Sequence, residues 1–456
     1  MLDLSFSQRA RAVAWELPRR LLARKFARDV LVLQAGTLVR LALVMGSTAL
    51  LARVLGPEGL GRYNLVLAFF TTINLFGNLS VGQAVLTRLA AARAAGDREE
   101  MLALMAYYIK MSLLVGAVLT GGAWLLAPEL AQRLGYDAEV GRLARLLFLV
   151  TPCGMLYGLA TTVAQSARDM KGLALLETLS VLFGAVCMVA GAWLAGLGGV
   201  IAGSMAGTAL SALAGWLHYR LAARPAGYPP EHAVAWLVPR VPLRRFLRFS
   251  ALVTLDKNMA TMFSQTPTLF LGRLAGDAET AFFGVAANVF RLPELIQASI
   301  ARNLMVKLSE QQGRGEIAAL RRTFWLVTFG AGAISIVTTA AFVLVAPWLV
   351  EWLYGREFRA ALPAVYMYAG HMAVLGFATG ISSIFQIQDR VGVNILIKLG
   401  LYLFVVPLGW WLVATYRSAG AAAYVWAADL SYIPYALVLL SDWFWRAPRS
   451  RRVSHG

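Results

Sequence analysis

Long apolar runs recur along the chain, separated by short polar segments. They fall at 30–53, 63–84, 102–127, 141–165, 172–195, 199–217, 249–272, 281–301, 324–349, 362–386, 392–416 and 421–441. A helix that crosses the hydrocarbon core needs about 20 predominantly apolar residues. Each run meets that length, so the pattern predicts an all-α polytopic membrane protein with about twelve transmembrane helices.

Composition sharpens this picture. The 456 residues are 59% hydrophobic and 14% charged, against about 25% charged in a soluble domain. A soluble globular chain and a disordered one are both excluded. The net charge of +18 then needs a location. If residues 1–29 lie inside, the cytoplasmic segments hold 28 of the 42 Lys and Arg residues and the opposite loops hold 7, with Arg53 counted in the loop it borders. Such asymmetry is the positive-inside signal. It predicts an even number of spans and cytoplasmic termini, with basic residues facing anionic lipid. A nucleic-acid reading would need a basic patch on a soluble module, and no such module is present. The first 28 residues are basic and amphipathic, unlike the apolar core of a signal peptide.

The longest connection, 218–248, falls at the middle of the chain. It holds Pro225, Pro229 and Pro230 and then a basic amphipathic stretch, Pro239–Arg248, suited to the membrane interface. The expected division is a basic N-terminal arm (1–29), an N-lobe of six helices (30–217), a linker (218–248), a C-lobe of six helices (249–441) and a basic tail (442–456). The lobes resemble each other weakly. Leu51–Tyr63 (LARVLGPEGLGRY) and Leu271–Phe283 (LGRLAGDAETAFF) align Arg53 with Arg273, Gly56 with Gly276 and Tyr63 with Phe283. Parallel repeats of this kind place a binding site between lobes.

Within Leu50–Tyr63 the local chemistry is mechanical. Gly56 suits a left-handed helix end. Pro57 starts the next helix at no hydrogen-bond cost, and Glu58 is favourable at that N-terminus. The same stretch carries a resemblance. LLAR-x-LGPE-x-x-G-x-Y, spelled by Leu50, Leu51, Ala52, Arg53, Leu55, Gly56, Pro57, Glu58, Gly61 and Tyr63, resembles the signature of the Wzx-like polysaccharide biosynthesis proteins of the MOP exporter superfamily. The six-plus-six layout and basic middle linker agree with it. The resemblance implies two lobes around a central hydrophilic cavity, in a multi-pass protein of the bacterial inner membrane. It implies flipping of an undecaprenyl-pyrophosphate-linked oligosaccharide from the cytoplasmic to the periplasmic leaflet. Its partners would be that lipid-linked oligosaccharide, membrane lipids, and the polymerase and glycosyltransferases of the same pathway. Lipid II flippases are similar but usually carry two further C-terminal helices, for which the residues after 441 offer no room.

Charges inside the apolar runs are the candidate chemistry, because a charge at a helix centre costs about 2.5–3.5 kcal/mol on insertion scales and normally faces a cavity or a partner. Arg40, Lys110, Asp256, Lys257, Arg291, Glu294 and Lys398 are such residues. The resemblance places helices 1, 2, 7 and 8 at the cavity wall. Asn74 and Asn78, then Lys257, Thr261 and Ser264, then Asn288, Arg291 and Glu294 each share a helical face. Arg40, Lys257 and Arg291 are expected to attract pyrophosphate. Asn74, Asn78, Gln265 and Asn288 are expected to hydrogen-bond sugar hydroxyls. The plainer alternative pairs Asp256 or Glu294 with one of these cations to hold helices together. Asp256 and Glu294 are also candidates for a coupling proton or Na⁺. Lys110 and Lys398 lie nearer helix ends or off the expected wall, where a snorkelling role is the simpler reading.

Pro293 predicts a kink beside Arg291, and Gly77 one beside Asn78. Gly370, Gly376 and Gly380 read as packing positions, and Trp443–Trp445 as an interface anchor. Cys153 and Cys187 sit in apolar surroundings and read as small core residues. The four histidines show no metal-ligand spacing and no P-loop occurs, so neither a cofactor nor an enzyme activity is expected. The competing expectation is a MATE-like exporter of small amphipathic compounds, whose cavity would be rich in carboxylates and aromatics. The lone intramembrane cations lean the expected cavity basic.

Overall fold

A computed structural model describes residues 4–75, 81–229, 243–314, 316–379, 381, 384–385, 391–429 and 432–441. The described residues form helices joined by short turns, with no strand among them. The helices are α1 (Leu4–Asn74), α2 (Val81–Ala95), α3 (Arg98–Arg133), α4 (Ala138–Leu149), α5 (Thr151–Ser166) and α6 (Met170–His218). After a π-helical turn at Tyr219–Ala223 come α7 (Leu243–Leu274), α8 (Asp277–Val289), α9 (Arg291–Gly313) and α10 (Ile317–Tyr354). They are followed by α11 (Leu362–Leu375), α12 (Val391–Ala428) and α13 (Tyr432–Leu440). Six helical stretches among the described residues are long and apolar enough to cross a membrane, or seven if the bent α4–α5 pair is one span. Three of the six are divided internally, at Gly56, at Ala195–Gly196 and at Arg417.

The dividing residues follow one rule. Gly56, Gly135 and Gly196 have positive φ in the first half, and Gly276, Gly355 and Arg417 have positive φ in the second. These turns recur 220, 220 and 221 residues apart. Gly56 and Gly276 share even the second dihedral, with ψ of −178° at both. Glycine adopts this region without the steric penalty of a Cβ. The faint sequence repeat is therefore a repeat of turn geometry, with Arg417 the one non-glycine member.

The kink foreseen at Pro293 appears as a break at Phe290, which separates α8 from α9. Proline has no N–H to offer the carbonyl four residues back, at Val289, and its ring crowds that carbonyl. Gly376 packs against α10, and a Cβ there would collide with the Ala331 carbonyl. Gly77, Gly380 and Trp443–Trp445 lie outside the described residues.

Packing is uneven along the helices. At the Gly56 end one apolar core joins both halves, combining Leu51, Leu60 and Phe69 with Val285, Phe290, Val350 and Phe358. Toward the opposite end each half has its own cluster. Val85, Met101, Tyr107, Tyr219 and Tyr228 form one, and Leu304, Leu308, Phe324, Phe385 and Tyr435 the other. The start of the linker belongs to the first, where the Tyr228 hydroxyl meets Ser166 Oγ at 2.7 Å.

The motif residues build the shared end. Gly61 lies so close to α8 that a Cβ would collide with the Asp277 carbonyl. Arg53 donates from Nε to the Leu353 carbonyl at 3.0 Å and from Nη2 to the Trp352 carbonyl. Arg62 joins three helices, bonding Asp277 of α8 at 2.9 Å and Glu139 of α4 at 2.8 Å. The stretch expected to be a simple helix–turn–helix is also the joint between halves.

Candidate functional site

Below that joint a cavity of about 960 Å³ opens between α1 and the helices of the second half. From the first half it is lined by Asn64, Leu67 and Thr71 of α1. Helices α7 and α8 contribute Phe263, Ser264, Gln265, Thr268 and Asn288. Arg291 and Glu294 come from α9, Tyr368 and His371 from α11, and Lys398 and Tyr402 from α12, with Asp429 at its end.

Three predicted binding residues, Gln265, Asn288 and Arg291, meet in this wall, as does the ion-coupling candidate Glu294. Arg291 and Glu294 form a loose ion pair at 3.9 Å across one turn of α9, and each is about half exposed to the cavity (53% and 49%). Because both belong to one helix, the pair ties no helices together. Asn288 Nδ2 donates to the Gly284 carbonyl at 3.0 Å. Its amide oxygen is not engaged by that bond.

Other predicted residues sit elsewhere. Arg40 is not in this wall. Its Nη1 lies 3.0 Å from Glu177 Oε2 of α6, and its Nη2 donates to Thr37 Oγ1 at 2.8 Å. The pairing alternative thus describes Arg40, but with a partner the sequence reading did not name. Asn74 ends α1 and does not line the cavity, whereas Asn64 does. Asp256 and Lys257 lie on α7 with their side chains outside the described residues, as does Asn78 entirely. Lys110 Nζ is buried within the first half, away from the cavity.

Lys398, for which snorkelling was the simpler reading, lines the cavity. His371, one of the four histidines without metal-ligand spacing, lines it too and is paired. Its Nδ1 lies 2.9 and 3.0 Å from the two Asp429 oxygens, with the side chains 13% and 7% exposed. Asp429 sits inside the apolar run 421–441, where periodicity offered no partner. Among the described lining residues the charges balance, while Lys257, one of the expected cations, lies outside them. The described lining has two permanent cations, Arg291 and Lys398, and two carboxylates, Glu294 and Asp429.

Aromatic rings complete the chamber. Phe263 meets Tyr402 edge-on at 4.7 Å and Tyr424 at 5.3 Å between centroids. Tyr368 stacks on Phe290 at 5.9 Å. Rings and amides together can present apolar faces and directional hydrogen bonds to a polyhydroxylated ligand, while Arg291 offers a fork suited to phosphate oxygens. Among the described residues no His, Cys, Asp and Glu group has the arrangement to hold a metal ion.

A bundle of apolar helices, closed by a joint at one end and hollow around charged residues, marks a multi-pass membrane protein. The chain belongs to the polysaccharide biosynthesis protein family, whose description matches residues 26–305. No curated protein sequence matches it. Among solved structures it is similar to an inward-facing multidrug resistance MATE family transporter of the MOP superfamily (TM-score 0.73, 15% identity, covering 88% of this chain and 94% of the other). It is also similar to the lipid II flippase MurJ in an inward closed conformation (TM-score 0.70, 14% identity, 90% of each chain). A third is a MOP superfamily transporter from Pyrococcus furiosus (TM-score 0.65, 15% identity, 91% and 93%). At these identities the likeness is one of fold.

Proposed function

We propose that this protein flips an undecaprenyl-pyrophosphate-linked oligosaccharide from the cytoplasmic to the periplasmic leaflet of a bacterial inner membrane, by alternating access. The observation that carries this reading is a single chamber holding Arg291 and Lys398 beside Asn64, Gln265 and Asn288, in a chain of the polysaccharide biosynthesis family. A pyrophosphate cannot enter hydrocarbon alone, and cations at membrane depth offset that cost. A volume near 960 Å³ lies at the upper end for small-ligand pockets, about 300–1,000 Å³. It has room for the pyrophosphate and the first sugars, with the polyprenyl tail left in the lipid.

The two halves, roughly 30–217 and 249–441, would rock against each other, with both termini and the 218–248 linker in the cytoplasm. The joint of Arg62, Asp277 and Glu139 would part when the chamber opens to the periplasm. Polymerase and glycosyltransferases of the same pathway would supply and consume the substrate. No cofactor enters the scheme, and Asp256 and Glu294 remain the proposed sites for a coupling ion.

A second reading has an observation in its favour. Glu294, Asp429, Phe263, Tyr368 and Tyr402 in one wall are the side chains expected of an exporter of small amphipathic cations. Deleting the gene and weighing the lipid-linked oligosaccharides of each leaflet separates the two. Accumulation of one undecaprenyl-linked species in the cytoplasmic leaflet supports flipping. An unchanged lipid-linked pool with altered drug sensitivity supports the exporter.

A further inference from the structure

Among the described lining residues the charge balance of the chamber turns on one side chain. With His371 neutral, the two cations and two carboxylates of the described lining cancel. With His371 protonated the sum is one positive charge. Histidine is the side chain whose ordinary charge change falls in the physiological range. The His371 Nδ1 faces both Asp429 oxygens at 2.9 and 3.0 Å, which assigns the Nδ1 proton to that bond and leaves Nε2 to accept a second.

We propose that His371, held by Asp429, is a proton-operated charge switch that makes capture of the anionic headgroup pH-dependent. The proposal rests on the flippase reading above and adds a proton-binding site to it. When Nε2 takes a proton, no bond other than N–H is made and the imidazole gains one positive charge. Asp429 stabilises the imidazolium as an ion pair, and the cavity field becomes positive where the pyrophosphate arrives. Reciprocally, a bound pyrophosphate favours the proton, since the coupling between two ligands acts equally on both. Low effective dielectric around side chains only 13% and 7% exposed strengthens that coupling.

The surroundings of the pair are consistent with this role. Arg291 and Glu294 face it from α9, Lys398 and Tyr402 from α12 and Tyr435 from α13, with the Tyr368 ring 5.4 Å from the imidazole on α11. The described lining residues of α1, α7 and α8 carry no charge. Behind α11, α10 presents hydroxyls, with Ser335 Oγ donating to the Met372 carbonyl at 2.6 Å. The imidazole thus shares one wall with two cations and two carboxylates of the described lining.

The test uses the full chain in lipid nanodiscs and farnesyl pyrophosphate as the probe, with binding measured at about pH 5.5 and about pH 8, either side of the ordinary histidine range. Wild type should gain at least about fivefold in affinity at the lower pH relative to His371→Gln, a typical allosteric coupling. Asp429→Asn, which removes one negative charge permanently, should bind at the higher pH about as tightly as wild type does at the lower. A His371→Gln profile parallel to wild type overturns the switch and leaves the flippase reading standing. Equal loss of binding by both variants at both pH values assigns the pair to packing and also overturns it. No binding by wild type at either pH overturns the flippase reading together with the switch.

Discussion

The two halves share a backbone plan and differ in what they bury. Turns recur at Gly56 and Gly276, at Gly135 and Gly355, and at Gly196 and Arg417. Yet in the first half the intramembrane cation Arg40 is closed onto a neighbouring helix. Arg40 pairs with Glu177 at 3.0 Å, and the pair is 18% and 37% exposed. In the second half, Arg291, Glu294, His371, Lys398 and Asp429 face a common chamber. Shifted by the same 220 residues, Arg40 corresponds to Ala260, and His371 and Lys398 correspond to Thr151 and Thr178. The repeat preserves turn geometry, which glycine dictates, while the polar positions have diverged. The first half gives the chamber the uncharged Asn64, Leu67 and Thr71, and the second gives it all the charges of the described lining.

The largest expected effect breaks what both halves share. Gly61→Val should prevent α1 and α8 from approaching at Asp277, where even a Cβ does not fit. Overpacking at such a contact costs about 1–3 kcal/mol, sometimes more. Cysteine cross-linking between the two halves at the Gly56 end should fall to background, and glycan export should fail.

Next comes the comparison itself. Arg291→Ala should leave folding intact and weaken pyrophosphate binding about tenfold or more, since a hydrogen bond to a charged group contributes about 1.5–3 kcal/mol. Arg40→Ala should do the reverse. It should lower thermal stability in detergent by about 1 kcal/mol, a figure discounted from the buried-pair range because Glu177 is partly exposed, and leave headgroup affinity near wild type. The double variant Arg40→Ala with Glu177→Ala should recover most of that stability. Loss of headgroup affinity in Arg40→Ala, unrepaired by the second change, would erase the distinction between the paired cation of the first half and the chamber charges of the second.

A smaller effect is expected at the joint. Arg62→Ala removes the bonds to Asp277 and Glu139, which are partly exposed and worth about 1 kcal/mol or less each. It should shift distances between the halves at the Gly56 end, read by spin labels, toward the separated state by a few-fold in population. The smallest effect tests the repeat. Arg417 holds φ 52° and ψ −125° where its counterpart is glycine. Arg417→Gly should relieve about 1 kcal/mol of strain and lose an ion pair to Glu279 at 3.8 Å with Arg417 70% exposed, which is worth little. A slight rise in melting temperature is expected, and a fall of several degrees would show that the turn depends on the arginine side chain.

Much of this architecture was legible along the chain, because membrane helices are long, apolar and punctuated by glycine and proline. The second-half charges at helical spacing were legible too. Asn288, Arg291 and Glu294 share a face by the three-residue period alone, and their helix was placed at the wall by the family resemblance. Periodicity says which residues share a face and is silent on what that face meets. Glu177 therefore went unnoticed as the partner of Arg40, 137 positions earlier, and Arg62 as the residue that joins Glu139 to Asp277.

What the chain alone determined is the class of molecule. Twelve apolar runs, an asymmetric basic charge, a repeated turn and a family signature need no tertiary information, because bilayer thickness, loop charge and backbone sterics act locally. Only the tertiary structure decided which charges answer one another. It moved Lys398 into the wall, closed Arg40 onto Glu177, set His371 against Asp429, and placed two carboxylates beside two cations in the described lining. Electrostatic partnership depends on distances between helices, and those are set by how the two halves pack.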